Sequence, residues 1–383
     1  MVSLEISRIK WDRKETMKFA SQMSEIDISG IRKCFEGAGP DAINLGLGQP
    51  DFDTPAHIKE AAIKAIQAGF TGYTANCGFP DLLMAICQKF WRDNQLRYSP
   101  EDIMVTSGAS EALFLAIAAL VERGDEVLVG DPSFLSYSAL TKLMGGVPVG
   151  VPLNDQFRLT SEAVNERITK RTKAIIINSP SNPTGAVQTE EELRGIAEIA
   201  DDMDLAVISD EVYEHFIYNG KHISPARFSN NVITVNAVSN SYAMTGWRLG
   251  YLAAKGGVQE QLLKVHQYIQ ACACSISQKA ALAAIAGPQE CVATMRDEFK
   301  LRRDMLVKGF RGMGVDLVEP EGAFYLFPKV GDGDAVASRL AKAGVIAVPG
   351  SAFGPGGKEH IRLSYASSRK NLEEALKRMR GIL

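Results

Sequence analysis

An α/β fold, with a mainly parallel sheet in a large domain and a smaller α/β domain after it, is predicted by three features of the chain. Five short apolar runs between about residues 100 and 240 each lead into a loop rich in Gly, Pro, Ser or Asn and then into a helical stretch. The runs are continuous rather than alternating, as strands covered on both faces are. After about residue 290 the rhythm stops, and a long charged helical stretch opens a region of shorter elements. A chain of 383 residues also exceeds what one hydrophobic core usually serves.

In order, the apolar runs are Ile103–Thr106, Glu126–Val129, Ala174–Ile177, Leu205–Ile208 and Val232–Val235. Helical periodicity spans Ser110–Leu120, Tyr137–Met144 and Glu190–Asp202, with Gly124 after the first and Gly145-Gly146 after the second as stops. Strands alternating with helices in this way form a doubly wound layer. Beyond it a helix over Met295–Phe310 leads into short strands at Ala323–Phe327, Val345–Val348 and Ile361–Ser364. These alternate with helices at Ala335–Ala343 and Lys370–Ile382. The expected division is a large domain over residues 45–288 and a small one over 289–383, with residues 1–44 packed on the small domain.

Composition narrows the function. With 46% hydrophobic and 23% charged residues the chain reads as ordinary globular protein. A net charge of −3 gives no electrostatic reason to expect nucleic acid or an anionic membrane as partner. Glu5, Arg8, Lys10, Asp12, Arg13 and Lys14 leave no room for the apolar core of a signal peptide. The longest apolar run, Ala112–Val121, is too short to cross a bilayer. Cys34, Cys77, Cys87, Cys272, Cys274 and Cys291 form no CxxC pair, so reduced thiols and a cytoplasmic location are expected. His215 and His222 do not pair at helical spacing, and no metal site is expected.

Ligands of an open parallel sheet bind beyond the carboxyl ends of its strands. Ser107-Gly-Ala-Ser110 follows the first run, Asp131-Pro-Ser-Phe134 the second and Asn178-Ser-Pro-Ser-Asn-Pro-Thr-Gly185 the third. Asp210-Glu-Val-Tyr213 follows the fourth, and the stretch from Asn236 to Gly250, with Ser239-Asn240 and Arg248 inside it, follows the fifth. Singly, each has a bland explanation: a turn at Ser107-Gly108, a chance loop at Asn182–Gly185, a helix cap at Asp210, a surface charge at Arg248. Their joint order and spacing have none.

With these motifs the chain resembles the class I/II aminotransferases, fold-type I enzymes that use pyridoxal 5′-phosphate (PLP). It is most similar to the bacterial and archaeal branch called aspartate or aromatic aminotransferases. The likeness runs from Leu45-Gly-Leu-Gly-Gln-Pro-Asp-Phe-Asp-Thr-Pro55 to Arg362-Leu-Ser-Tyr-Ala366. It implies an amino acid and a 2-oxo acid as substrates, and a homodimer whose active sites are shared between subunits. It also implies residue roles. Ala109 and Ser110 would hold the cofactor phosphate at a helix start, where the dipole favours an anion, Arg248 would pair with the same group, and Ser239 would be a further cofactor-binding residue. Phe134 would stack on the ring, Asn182 and Tyr213 would bind its 3′-oxygen, and Asp210 would keep its nitrogen protonated. Tyr73 would reach the neighbouring subunit's phosphate. Arg362, with Gly48 and Asn182, would take the substrate, the arginine holding its α-carboxylate.

The chain also departs from the family. The Schiff-base lysine of the family's Ser-Lys motif stands here as Asn240, eight residues before Arg248. Ala237 replaces a serine often found there, Leu83 an arginine, and Ser110 a lysine carried by some acidic-substrate members. An amide nitrogen, its lone pair delocalised into the carbonyl, can neither hold the cofactor covalently nor carry a proton. The chain as written is therefore expected to be nearly inactive. Three readings stay open: a substituted but otherwise ordinary aminotransferase, a catalytically silent PLP-binding member, or another PLP reaction such as β-elimination.

Overall fold

The computed structural model describes residues 17–26, 39 and 41–383, so Cys34 and most of the N-terminal segment lie outside the described residues. The strands in chain order are β1 (Ile43–Asn44), β2 (Ile103–Thr106), β3 (Glu126–Asp131), β4 (Val147–Pro152), β5 (Thr172–Asn178) and β6 (Ala206–Asp210). They continue as β7 (Val232–Ala237), β8 (Gly250–Ala253), β9 (Tyr325–Leu326), β10 (Val345–Ile346), β11 (Val348–Pro349) and β12 (Ile361–Ser364). Seven of them make one sheet in the order β2-β8-β7-β6-β5-β3-β4. It is parallel from β4 to β7, while β8 runs antiparallel to both its neighbours, β2 and β7. The mainly parallel α/β layer is thus present.

The apolar runs are continuous because successive side chains enter different cores. Val127, Val129 and Ile176 pack with Leu113, Leu115 and Ile117 of the helix Ala109–Leu120 on one face. Leu128, Ile175 and Ile177 pack with Leu193, Ile196 and Ala200 of the helix Glu190–Asp202 on the other. Thr189 starts that second helix with a capping box, its hydroxyl accepting from Glu192 N (3.3 Å) while Glu192 Oε2 accepts from Thr189 N (2.8 Å). The chain leaves β3 for β4 on one side and for β5 to β8 on the other. The crevice between diverging connections therefore opens at the ends of β3 and β5, the place where such sheets bind ligands.

The C-terminal part forms an antiparallel sheet, β11-β12-β9, in which Arg362 lies opposite Val348 and Leu363 opposite Leu326. β1 pairs parallel with β10, Ile43 against Val345. Phe299, Leu306 and Phe310 of the helix Glu290–Arg311 pack here with Phe324, Leu363 and Tyr365. The same core takes in Tyr213 and Phe216, so it joins the end of β6 to the small sheet. No helix among the described residues is long and apolar enough to cross a membrane.

Several boundaries differ from the sequence reading. Only Tyr325 and Leu326 of the run 323–327 are strand, and the run 345–348 breaks at Ala347 into β10 and β11. The charged helix extends over Glu290–Arg311, and the final one stops at Met379. β1, β4 and β8 have no counterpart among the apolar runs of the sequence. β4 is a half-exposed edge strand with Pro148, Gly150 and Pro152, whose composition reads as loop. β8 hides directly after the Trp247-Arg248 motif.

Candidate active site

At one end of the crevice the helix Ala109–Leu120 begins on Gly108, whose φ is +81°. A Cβ on Gly108 would sit 2.5 Å from Arg248 Nη2, and one on Gly250 would sit 2.6 Å from Ala109 N. The two glycines let a guanidinium and the first helical N–H groups converge on one spot. Arg248 itself is left-handed (φ +50°), and its Nη1 donates to Thr245 O at 3.0 Å. Ser110 and Arg248 are exposed, Ala109 and Ser239 half-buried. Ser107 and Arg248 line a cleft of about 790 Å³ together with Thr54, Trp247, Gln270 and Cys274.

At the other end β6 delivers Asp210, only 4% exposed. Tyr137 Oη donates to its Oδ2 at 2.8 Å, and Val212 N approaches Oδ1 at 3.4 Å. Both donors are neutral. Burial therefore dominates, and the carboxyl is pushed up to about 6 despite the two hydrogen bonds. Phe134 lies edge-on to Tyr137 with ring centroids 5.8 Å apart. Asn178, the last residue of β5, donates to Asp210 O (3.0 Å) and accepts from Asn182 N (2.8 Å), which fixes the Asn182 loop beside the acid.

Asn182 then meets the small sheet. Its Oδ1 accepts from Arg362 Nη1 at 3.0 Å, and Gly46 O accepts from Arg362 Nη2. Arg362 is 1% exposed, with its guanidinium 4.7 Å from the Tyr325 ring centroid and 5.0 Å from that of Phe353. Tyr325 also hydrogen-bonds Tyr213, hydroxyl to hydroxyl, at 2.8 Å. Burial and the neighbouring Tyr325 raise the Tyr213 phenol well above its usual range, so it remains a donor at neutral pH. Gly48 is held against this pair, since a Cβ there would meet Tyr325 Oη at 2.1 Å.

Asn240 sits on the short helix Val238–Ser241, 7% exposed, with its Nδ2 3.4 Å from Val212 O. Asn240, Asp210, Tyr213, Asn182, Arg362, Gly48 and Phe134 thus belong to one linked set; Ala109 and Ser110, at the helix start, and Arg248 form a second group. Tyr73 joins neither: it is 92% exposed. Of the departures noted above, Leu83 and Ala237 are both buried.

Sequence reasoning missed Tyr137, Tyr325, Phe353 and Asn178. Tyr137 could have been found one helical turn after Phe134. It also missed that Glu211, Glu214 and His222 bring ligand atoms within 4.8 Å of one another. Glu214 is already paired with Lys89, so these groups read as an ion-pair network.

The two ends suit PLP. A helix start beside a guanidinium offers directional donors to a phosphate dianion, and a buried acid with only neutral donors offers a partner to a protonated pyridine nitrogen. The comparisons agree. The family model for aminotransferase class I and II matches residues 40–379. A probable aspartate aminotransferase of Methanocaldococcus jannaschii is 47% identical over 366 residues, 93% of this chain and 97% of that protein. Aromatic-amino-acid aminotransferase 2 of Thermococcus litoralis is 39% identical over 96% of this chain and 98% of its own length. The structure of Thermus thermophilus aspartate aminotransferase with maleate superposes with a TM-score of 0.90 at 38% identity, covering 96% of this chain and all of that one. The chain belongs to the class I and II aminotransferases, and its cofactor is pyridoxal 5′-phosphate.

Proposed function

We propose that the protein is built to move an amino group between an L-amino acid (aspartate, aromatic or small neutral) and a 2-oxo acid such as 2-oxoglutarate, and that Asn240 stands where the cofactor-linking lysine belongs. The observation that carries this reading is the contact of Asn240 with Val212 O, two residues beyond the buried Asp210. In this reading an amide occupies the place from which a lysine would reach the cofactor's aldehyde.

In this reading Ala109, Ser110, Ser239 and Arg248 hold the phosphate, Phe134 covers the ring, and Asn182 and Tyr213 bind its 3′-oxygen. Asp210 holds the proton on the ring nitrogen. Bound there, PLP supplies the ring that accepts electrons released at the substrate's α-carbon. Arg362 orients the substrate through its α-carboxylate, and Asn182 and Gly48 shape the space beside it. Asn240 can hold no transferable proton, and loss of that group alone costs about 10²–10⁴-fold in rate.

Residues 45–288 would form the cofactor-binding domain and 289–383 the smaller one. The β1–β10 pairing supports packing of the N-terminal segment on the latter. Tyr73, with its ring exposed in the single chain, suits a homodimer in which it crosses to the partner's phosphate. A monomer at micromolar concentration that still holds PLP tightly would contradict that assignment.

The decisive experiment is Asn240→Lys. The lysine form is expected to transaminate at least one common amino acid with 2-oxoglutarate, while the Asn240 protein stays near background. A folded, PLP-loaded lysine form that turns over none of them would overturn the proposal in favour of a silent PLP-binding member.

A further inference from the structure

The segment from Asp210 to His215 has two faces. Asp210 and Tyr213 face the crevice, whereas Glu211, Glu214 and His215 enter a buried polar network behind it. Glu211 accepts from Ser209 Oγ (2.8 Å) and Ser224 Oγ (2.6 Å) and pairs with His222 Nε2 (2.8 Å). Glu214 pairs with Lys89 and accepts from Asn94 Nδ2 (2.7 Å) and Asn236 Nδ2 (2.6 Å). His215 Nδ1 lies 2.8 Å from Ser241 Oγ, and its Nε2 lies 3.2 Å from Asp93 Oδ2. Burying this many polar groups is a poor route to stability, but it can fix one arrangement of the chain.

The arrangement fixed is the one around residue 240. Asn236 precedes that residue by four positions and Ser241 follows it directly, and both are tied to the turn that carries Asp210 and Tyr213. The contact made by Asn240 itself is long, at 3.4 Å, and would change with the side chain at that position. The bond through Ser241 would not. Its direction follows from Asp93: burial works against ionisation, but bonds from His215 and Arg92 hold that carboxyl well below its usual range. A carboxylate accepts, so His215 Nε2 donates to it, and in the neutral ring Nδ1 then accepts from the Ser241 hydroxyl. The series has the order of a hydrolase Ser-His-Asp triad, yet Ser241 is 1% exposed and shut away from any substrate. Its hydroxyl is a tether.

We infer that His215 is a positioning residue: through Ser241 it registers the turn carrying residue 240 against the turn carrying Asp210 and Tyr213. The inference rests on residue 240 being the cofactor-linking position.

Two backgrounds test it. In the Asn240 protein, His215→Phe should leave PLP affinity within about threefold, because the cradle and Asp210 do not depend on where residue 240 sits. In the Asn240→Lys protein the same change should slow covalent capture of PLP by about 10- to 100-fold, the scale of a 1 Å misplacement. Capture is followed by the visible absorbance of the cofactor and, after borohydride, by the mass of the polypeptide. His215→Asn, whose amide oxygen can still accept from Ser241, should recover most of the rate. Ser241→Ala, which removes little volume, tests the same bond should His215→Phe fail to fold. An unchanged capture rate in both His215→Phe and Ser241→Ala overturns the inference, and so does an equal loss with phenylalanine and asparagine. If Asn240→Lys alone captures no PLP, the assignment of residue 240 fails instead.

Discussion

Asp210 and Glu214 are carboxylates four residues apart on one turn, 4% and 5% exposed, and the protein treats them in opposite ways. Burial disfavours the charge of both. Asp210, facing the crevice, has a phenol and a backbone N–H as donors and is pushed up to about 6. Glu214, facing inward, is subject to the same penalty, but the charge of the Lys89 ammonium and its hydrogen bond act against it, and the carboxyl is held at about 2. One face of the turn is electrostatically complete within the chain. The other would become so if a cation arrived, and under the proposed function a protonated pyridine nitrogen is that cation. Burial alone does not mark a functional acid; the charge of the group beside it does.

The strongest way to break this contrast is to remove the inward partner. Lys89→Met leaves Glu214 buried and unpaired and should cost about 3–5 kcal/mol of stability. It would be read as a large fall in the denaturant midpoint near neutral pH. Replacing Asp210 by Asn should cost the cofactor-free protein nothing comparable, since no cation among the described residues is orphaned. Equal losses in the two variants would mean that both faces are merely structural.

The pH dependence should separate the faces next. Asp210 rises from 3.8 in the unfolded chain to about 6, so its contribution is intact below about pH 4 and lost as pH climbs through 6. Glu214 falls from 4.5 to about 2, so its contribution is intact above about pH 4.5 and lost as pH drops toward 2. Shifts of this size each correspond to stability on the order of 3 kcal/mol. Asp210→Asn should flatten the difference above pH 4 in the cofactor-free protein, and Glu214→Gln the difference below it. Bound PLP should cancel the Asp210 limb and leave the other untouched; a limb that survives saturation with PLP would remove Asp210 from the cofactor site.

The outward face was legible in the sequence and the inward one was not, for a physical reason. Asp210, Tyr213, Asn182 and Phe134 follow apolar strands, and a parallel sheet brings all its carboxyl ends to one edge whatever the loop lengths. β2 matched the reading end to end, and β3, β5, β6 and β7 lay within a few residues of it, because their side chains alternate between two apolar cores. Lys89, Asn94 and Asn236 come from a helix end, the short π-helical segment Phe90–Asn94 that continues it, and a strand, which no local pattern relates to Glu214. His215 and His222 looked solitary because their partners, Asp93, Ser241 and Glu211, are set by packing. The clamp was half legible: Arg362 stood in its motif, but Tyr325 and Phe353 over its guanidinium did not.

A smaller effect is expected at Arg362, which we assign to the substrate side rather than the ring side. A hydrogen bond to a charged group contributes about 1.5–3 kcal/mol. Arg362→Leu should therefore weaken amino-acid binding to the PLP-loaded protein by roughly one to two orders of magnitude while PLP affinity holds. Spectral titration with amino acids separates the two affinities. Parallel loss of both would place Arg362 in the general scaffold of the crevice instead.

Tyr137→Phe should have the smallest effect, and it bears directly on why Asp210 stops near 6 rather than rising further. The phenol donates to Oδ2 at 2.8 Å and is itself raised well above its usual range, by burial first and by Asp210 next, so it cannot compete for the negative charge. Its hydrogen bond favours the ionised carboxylate and opposes the burial penalty. Removing the hydroxyl while keeping the ring, and with it the edge-on packing against Phe134, should cost about 1 kcal/mol of that support. Because 1.36 kcal/mol corresponds to one pKa unit, the Asp210 limb should move upward by somewhat less than about one pH unit. PLP affinity near pH 7 should then fall by less than about twofold, since somewhat less of Asp210 is ionised when the cofactor arrives, and the loss should grow as pH is lowered through 6 and vanish as it is raised. The Glu214 limb should not move. A uniform loss of affinity at every pH would mean that Tyr137 acts by shaping the crevice rather than by setting the charge of Asp210.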